Sequence, residues 1–206
     1  YIKKGDIFQI QVSRRISCEY SDDPMMLYRY IRHHNPSPFL FYVKFDDAAI
    51  VGASPEILVG VENREMVIRP LAGTRKRMSA HRTEDEIIEE LTSDEKERAE
   101  HIMLVDLARN DIARACKKGS VKVNELMSVE KYKHVVHMAS DVTGELEDNM
   151  SCVDALKYGF PAGTVSGTPK IRAMEIISDL EDVQREFYSG GVIFMDFQSN
   201  LKSCLL

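Results

Sequence analysis

The sequence predicts an α+β fold in which large, mainly antiparallel sheets are flanked by helices. The first reason is a pair of hairpin patterns. Short β-rich segments at 39–45 and 48–52, and again at 57–61 and 65–69, are separated by only a few polar residues. Such short connections join antiparallel neighbours. The second reason is a long segment at 94–117 with helical periodicity. Hairpins that alternate with long helices are typical of the α+β class.

The other elements follow from local patterns along the chain. Residues 7–16 alternate with period two and predict a strand, and residues 24–33 predict a helix that Asp22 and Asp23 open. Lys118-Gly119 is a stop signal for the long helix. A polar, basic loop is predicted at 73–82. The remaining predicted elements are strands at 121–123, 134–146, 190–197 and 203–206, and helices at 153–158 and 171–180.

The composition indicates a soluble globular protein and argues against two classes of partner. Of the 206 residues, 44% are hydrophobic and 29% are charged, which is ordinary for a globular domain. The formal net charge is −6 and Lys and Arg form no dense block, so neither nucleic acid nor a membrane surface is expected as a partner. The four cysteines stand far apart without metal-ligand spacing, which predicts reduced thiols in a cytoplasmic protein.

A glycine-rich stretch at residues 160–170, with the sequence FPAGTVSGTPK, is the most informative local feature. Glycine lets backbone amides approach a ligand closely, and the helix that follows brings unpaired N–H groups and the positive end of its dipole. Pro169 suits the first turn of that helix. The pattern predicts a seat for a carboxylate or phosphate, and the alternative is a plain tight turn.

Two acidic residues in the long helix form a candidate cation site. Glu97 and Glu100 are three positions apart, so a helix places both on one face. One interpretation is a solvated acidic face, which is common for carboxylates. The other is a pair of hard oxygen ligands for Mg²⁺, which would need further oxygen ligands from elsewhere.

Three further residues are candidates for proton transfer. Glu56 ends the sequence ASPE after an apolar strand. Such a residue is usually solvated, but a partly buried carboxyl there could stay protonated and act as a general acid. His134 and His137 lie three apart in a predicted strand, so only one of them can face a site. A single histidine is more often structural.

Several of these motifs resemble those of one enzyme family. GTVSGTPKIRAM at 163–174 is similar to a signature of the chorismate-using enzymes, among them the component I chains of anthranilate synthases. ERAEHIMLVDLARND at 97–111 resembles the metal-binding helix of that family. The SPE sequence at 54–56, the PLAGT sequence at 70–74 and the segment around His137 resemble three more of its motifs. The matches occur in order along essentially the whole chain.

The resemblance implies a chorismate-binding catalytic domain over residues 1–206, with the four-layer α/β/β/α fold of anthranilate and aminodeoxychorismate synthases. It implies a magnesium-dependent lyase reaction in which ammonia enters at C2 of chorismate and pyruvate then leaves. The product would be anthranilate, in the first step of tryptophan biosynthesis. The implied catalytic residues are Glu56, His137 and Thr164. The implied chorismate contacts are Gly73, Thr74, Gly163 and Tyr188, and the implied Mg²⁺ ligands are Glu97 and Glu100.

Two positions bear on the choice of nucleophile. Family members that aminate chorismate at C4 through a covalent lysine carry Lys where this chain has Ala72. Isochorismate and salicylate synthases carry a water-activating Lys where this chain has Gln9. Gln cannot serve as a general base. The resemblance therefore implies direct attack of ammonia at C2.

The resemblance also implies a regulatory site and partners. The positions that match the tryptophan effector pocket of the family are Pro38, Phe39, Leu40 and Cys204, while Ile193 stands where the family prefers glycine. Ammonia would come from a glutamine amidotransferase subunit, and tryptophan would act as an inhibitor.

Both ends of the sequence look internal to a longer protein. The chain begins without Met and stops in the apolar segment at 203–206. The family continues with an arginine, a glycine loop and a second acidic pair, so we expect a domain truncated at both ends that forms no anthranilate by itself. Two alternatives stay open. One is an aminodeoxyisochorismate synthase or another chorismate-utilising synthase, and the other is a non-catalytic truncated relative.

Overall fold

The computed structural model describes residues 1–77 and 81–206, which contain five α-helices and eleven strands. The helices are α1 (Pro24–His34), α2 (Glu84–Ser93), α3 (Glu95–Ala113), α4 (Cys152–Gly159) and α5 (Lys170–Leu180). The strands are β1 (Gln9–Ile10), β2 (Phe39–Lys44), β3 (Ala49–Ser54), β4 (Ile57–Glu62), β5 (Glu65–Ile68), β6 (Leu71–Lys76), β7 (Lys122–Lys131), β8 (Val135–Glu145), β9 (Gly167–Thr168), β10 (Gly191–Met195) and β11 (Leu201–Leu205).

Seven strands form the main sheet in the order β10-β11-β4-β5-β8-β6, with β7 also paired to β8. The long strand β8 organises this sheet, because it pairs with β6 and β5 along its length and with β7 as well. The pairs β2–β3 and β4–β5 are the two predicted hairpins. All the pairings between these strands are antiparallel, which confirms the predicted α+β class with mainly antiparallel sheets.

The main core lies between this sheet and the helices α3 and α4. The buried side chains of Val59, Met66 and Val142 from the sheet pack with Ile112 of α3 and Ala155 of α4. Full burial of a large aliphatic side chain stabilises the fold by roughly 1.5–3 kcal/mol. This packing fixes α3 against the sheet and so sets where each residue of α3 lies relative to the strands.

The acidic segment before the long helix forms a helix that the sequence prediction missed. A capping box begins α2: the Glu86 amide donates to the Thr83 hydroxyl, and the Thr83 amide donates to the Glu86 carboxylate. Asp94 then ends α2, and its side chain accepts hydrogen bonds from two amides in the first turn of α3. One residue therefore caps both helices, and α3 starts at Glu95, close to the predicted start at about 94.

The strand predicted at 7–16 is much shorter than expected. Only β1 is a strand, and it pairs with β9 in the glycine-rich stretch. Side chains hold the segment that follows: the Ser13 amide donates to Glu181, and the guanidinium of Arg185 donates to the Gln11 carbonyl. The alternating pattern therefore predicted too long a strand: a backbone hydrogen bond from Gln11 to Ser166 still follows β1, but at Ser13 the backbone bonds to a side chain instead.

Other element boundaries also differ from those predicted. The helix α3 ends at Ala113, and β7 extends over ten residues where a strand at 121–123 was predicted. The loop predicted at 73–82 is partly wrong, because residues up to Lys76 belong to β6, and residues 78–80 lie outside the described part. Within the described ranges, no helix combines the length and the apolar character that crossing a membrane requires.

Candidate active site

Glu56 lies directly before β4 and contacts the glycine-rich stretch. Thr164 Oγ1 donates a hydrogen bond of 2.6 Å to Glu56 Oε1. Burial raises the pKa of Glu56 to about 7, and this outweighs the hydrogen bond from Thr164, which lowers it. A carboxyl with such a pKa is largely protonated below neutral pH and can donate a proton. The predicted general acid has the environment expected for it, and its catalytic role stays a prediction.

The glycine-rich stretch packs tightly against α3. Gly163 begins a short 3-10 turn, and a Cβ atom at this position would overlap Leu107 of α3. At the other end of the stretch, Lys170 Nζ donates to Asp111 Oδ2 at 2.8 Å. These two side chains are only 13% and 10% exposed, so their ion pair is nearly buried. The helix α3 therefore holds the stretch at both ends and sets the position of Thr164.

His137 faces Thr74 across the pairing of β8 with β6. The two residues are register partners, and Thr74 Oγ1 lies 2.8 Å from His137 Nδ1 in a hydrogen bond. Burial lowers the pKa of His137, although a hydrogen bond to Gly73 and a nearby carboxylate oppose this. The imidazole is therefore mainly neutral at pH 7 and can accept a proton. His134 precedes β8 instead, and its Nε2 lies 3.3 Å from the carbonyl oxygen of His34.

Glu97 and Glu100 are both carried by α3, and each is held by a side chain from another element. Arg75 on β6 donates from Nη1 to Glu97 Oε1 at 2.8 Å. Gln9 on β1 donates from Nε2 to Glu100 Oε1 at 2.7 Å. A Cβ atom built on Gly73 would lie 3.4 Å from Glu97 Oε2. Glu97 of the acidic pair therefore borders the segment that is predicted to contact chorismate.

The acidic pair suits a hard cation in its chemistry but does not complete a site. Mg²⁺ prefers oxygen ligands and usually combines one or two carboxylates with water. In the described ranges, no group of three or more His, Cys, Asp or Glu residues could hold a metal ion. Glu97 and Glu100 therefore fit Mg²⁺ in ligand type and supply two ligands at most.

Side chains of α3 lie beside several of the predicted groups. Glu97 neighbours Gly73, and Leu104 further along α3 lines a cavity of about 30 Å³ together with Glu56 and Gly163. Glu97 and Leu104 are seven positions apart, which corresponds to roughly 10 Å along the helix axis. The helix thus lies next to Gly73 through Glu97 and shares a cavity with Glu56 and Gly163 through Leu104.

A larger cleft of about 360 Å³ also borders Glu56. Its lining is mainly apolar and includes Val165, Leu205 and Tyr188. The ring of Tyr188 is accessible, and the guanidinium of Arg185 lies over it at 5.6 Å. Glu56 and the predicted chorismate contact Tyr188 therefore line the same cavity.

The predicted effector residues are distributed over two sheets. Pro38 directly precedes β2, while Phe39 and Leu40 form its first two residues, with Phe39 opposite Ser54 of β3. Cys204 is buried within β11 of the main sheet. The tryptophan pocket that would join them stays a prediction.

His101 of α3 is a buried polar residue to which sequence reasoning assigned no role. It is fully buried, with Nδ1 3.2 Å from the Ala72 carbonyl oxygen and Nε2 2.6 Å from Ser140 Oγ. A neutral ring that donates from Nδ1 and accepts at Nε2 satisfies both contacts, and burial lowers its pKa accordingly. The signal was present in the sequence, because position 101 is in helical register with the buried positions 104, 105 and 108.

Comparison with known proteins defines the class of this chain. The family model described as chorismate binding enzyme matches residues 1–206. The chain therefore belongs to the chorismate binding enzyme family.

Individual relatives make the similarity more specific. The chain is 50% identical over 201 residues to anthranilate synthase component 1 of Aquifex aeolicus (strain VF5), which covers 98% of this chain and 41% of that protein. The crystal structure of anthranilate synthase component I from Streptococcus pneumoniae TIGR4 matches with a TM-score of 0.90 and 42% identity, over 99% of this chain and 45% of that one.

A second similar structure belongs to a protein with a different described activity. It is described as a 2,3-dihydroxybenzoate-specific isochorismate synthase from Bacillus anthracis, with a TM-score of 0.81 and 27% identity over 99% of this chain and 56% of that one. The present chain spans only about two fifths of the curated relatives that it matches. The shared fold agrees with the α+β architecture described above.

Proposed function

We propose that the protein containing this chain is the large subunit of an anthranilate synthase. In this reaction chorismate and ammonia give anthranilate, pyruvate and water. Membership of the chorismate binding enzyme family and the similarity to two anthranilate synthase component I proteins support the proposal. The observation that carries it is Glu56, a carboxyl with a pKa of about 7 that borders a cleft and accepts a hydrogen bond from Thr164.

In the proposed mechanism Glu56 protonates the departing C4 hydroxyl of chorismate while ammonia bonds to C2. The proton comes from the carboxyl, and the hydroxyl leaves as water. Because the Thr164 hydroxyl is already bonded to Glu56 Oε1, the other carboxyl oxygen is the one that can carry the proton towards the substrate. A pKa of about 7 keeps a useful fraction of Glu56 protonated at neutral pH.

The second part of the reaction removes pyruvate and makes the ring aromatic. We assign the assisting roles to His137 and Thr164. The neutral imidazole of His137 can accept a proton, and its hydrogen bond to Thr74 fixes the ring orientation. We assign chorismate contacts to Gly73, Thr74, Gly163 and Tyr188, in agreement with their positions beside these groups.

Magnesium is part of the proposal. Glu97 and Glu100 would hold the ion, and they fit it as hard oxygen ligands. When bound, Mg²⁺ would neutralise and anchor a carboxylate of chorismate. The protein's own contribution is to place both glutamates on one face of α3, with Glu97 next to Gly73.

Two side chains support ammonia as the nucleophile. Ala72 offers no amine for a covalent intermediate, and Gln9 offers no base that could activate water. We therefore propose ammonia attack at C2. An aminodeoxyisochorismate synthase, which would stop before pyruvate leaves, is an alternative that product analysis separates.

Partners and location belong to the same proposal. A glutamine amidotransferase subunit would supply the ammonia, and tryptophan would inhibit at a pocket that includes Phe39 and Cys204. The four free cysteines of the chain support the cytoplasmic location that their spacing predicts.

The experiment is a product assay on the full-length protein with chorismate, ammonium and Mg²⁺. We expect fluorescent anthranilate together with an equal amount of pyruvate. Glu56→Gln should abolish both, while the exposed Glu62→Gln on β4 serves as the matched control. Isochorismate or 4-amino-4-deoxychorismate as the main product would contradict the assignment of Gln9 and Ala72, and full activity of Glu56→Gln would remove Glu56 from the mechanism.

A further inference from the structure

The two candidate metal ligands share an unusual arrangement of their oxygens. In each glutamate, Oε1 accepts a hydrogen bond from a side chain outside α3: Glu97 from Arg75 at 2.8 Å and Glu100 from Gln9 at 2.7 Å. Within residues 1–77 and 81–206, Oε2 of neither glutamate accepts a hydrogen bond from the protein. One oxygen of each carboxylate is therefore occupied and one remains available.

The guanidinium of Arg75 has a fixed position because it donates hydrogen bonds to several carboxylates. Its Nε donates to Glu90 at 3.1 Å and its Nη2 donates to Asp94 at 3.0 Å, so the guanidinium is fixed between three carboxylates. Its contact with Glu97 Oε1 leaves Oε2 on the side of Gly73. Charge-assisted hydrogen bonds of this kind are stronger than neutral ones. The orientation of Glu97 is thus set before any ion binds.

Gln9 performs the same function for Glu100 without a charge. Its backbone is tied to Thr168 through the pairing of β1 with β9. The side chain is partly buried, and within the described residues Gln9 Oε1 is a buried acceptor without a partner. The only hydrogen bond described for this side chain is the one that Nε2 donates to Glu100.

A protein donor that engages one carboxylate oxygen competes with bidentate coordination, which needs both oxygens, and leaves the other oxygen available to a metal. Mg²⁺ accepts single-oxygen coordination well, because it typically takes six ligands in near-ideal octahedral geometry at about 2.0–2.1 Å. Ca²⁺ favours more ligands and commonly takes both oxygens of a carboxylate. Donors that compete for Oε1 therefore favour Mg²⁺ over Ca²⁺.

We infer that Gln9 and Arg75 are positioning residues that restrict Glu100 and Glu97 to single-oxygen coordination and so set the preference of the site for Mg²⁺ over Ca²⁺. This inference rests on the proposed function, since it requires that the two glutamates bind a divalent ion. Gln9 gives the cleaner test, because its replacement changes no charge.

The test is isothermal titration calorimetry of the full-length protein with Mg²⁺ alone and with Ca²⁺ alone. Gln9→Met keeps the length of the side chain and removes the donor, which frees Glu100 Oε1 for a second bond to the ion. We expect the ratio of Ca²⁺ to Mg²⁺ affinity to rise about 10-fold, the lower end of the effect of groups that orient metal ligands. Gln11→Met, an exposed neighbour, is the matched control and should keep the wild-type ratio.

Two further variants complete the design. Arg75→Lys keeps the charge but replaces the planar guanidinium fork with a single flexible ammonium, so it should orient Glu97 less strictly and shift the ratio in the same direction. Glu100→Gln should weaken both ions. If Gln9→Met does not fold, as judged by circular dichroism, Gln9→Asn replaces it, because an amide shortened by one methylene no longer reaches Glu100.

The outcomes distinguish a failure of the magnesium assignment from a failure of this inference alone. Mg²⁺ binding that is absent in the wild type, or unaffected by Glu100→Gln, would overturn the magnesium assignment within the proposed function and this inference with it. Mg²⁺ binding that depends on Glu100, combined with an unchanged ion ratio in folded Gln9→Met and Arg75→Lys, would overturn this inference alone.

Discussion

The Glu56→Gln substitution should stabilise the folded protein relative to wild type above neutral pH, because ionisation of the buried Glu56 carboxyl lowers the free energy of unfolding. Burial raises the pKa of Glu56 from 4.5 to about 7. Glutamine has nearly the shape of the protonated carboxyl, and its carbonyl oxygen can still accept the hydrogen bond from Thr164. The variant therefore retains the contacts of the protonated form and cannot ionise.

The size and sign of the effect follow from proton linkage. The folded protein binds the Glu56 proton more tightly than the unfolded chain does, so stability is lost as the pH rises from the unfolded pKa of 4.5 through about 7. A pKa difference of this size corresponds to ~3 kcal/mol when the loss is complete. Between pH 5 and pH 8, the stability of Glu56→Gln relative to wild type should increase by ~2–3 kcal/mol.

The assay is urea denaturation of the wild type and of Glu56→Gln at about pH 5, 6, 7 and 8, which covers the titration of Glu56. Glu62→Gln is the control. Glu62 is exposed at the end of the same strand. We expect the gap between Glu56→Gln and wild type to widen with pH and the gap for the control to stay flat. A Glu56→Gln gap that is constant, or that narrows as the pH rises, would refute the conclusion that Glu56 is held protonated by burial.

Three other changes have defined expected outcomes. Lys170→Met leaves Asp111 unpaired in a nearly buried site, so denaturation should show a loss of ~3–5 kcal/mol, largely recovered when Asp111→Leu is added; losses that simply add would contradict the pairing. Thr164→Val removes a hydrogen bond that lowers the pKa of Glu56, so the alkaline limb of the activity profile should move to higher pH, and an unmoved limb would count against Glu56 as the acid. Glu100→Gln should abolish magnesium-dependent turnover with an unchanged circular dichroism spectrum, and normal turnover would contradict its role as a ligand.

Local signals in the sequence predicted much of the secondary structure. The acidic pair Asp22 and Asp23 predicted the start of α1. Asp23 does cap this helix, and its side chain accepts a hydrogen bond of 2.9 Å from the Met25 amide. The turns at 46–47 and 62–64 do join antiparallel strands. The capping box of Thr83 and Glu86 was also a readable signal for α2.

The wrong part of the loop prediction at 73–82 has a physical reason that lies outside the segment. The segment after Thr74 is basic and was predicted as a loop, yet β6 runs through it to Lys76. Arg75 can occupy a strand there because the carboxylates of Glu90 and Glu97 neutralise it from α2 and α3. Partners that are distant in sequence decided the outcome, and no local propensity reports them.

The sequence by itself determined the class of this protein. Ordered motifs along the chain indicated the chorismate-using family, and hairpin turns, caps and periodicity indicated the α+β fold, because these signals depend on residues close together in the chain. The tertiary structure alone decided how the site is assembled. Thr164 reaches Glu56 across 108 positions, Gln9 reaches Glu100 across 91, and Thr74 reaches His137 across 63. The pKa of Glu56 belongs to the same category, because it depends on which neighbours exclude water from its carboxyl, and only the packed chain brings those neighbours together.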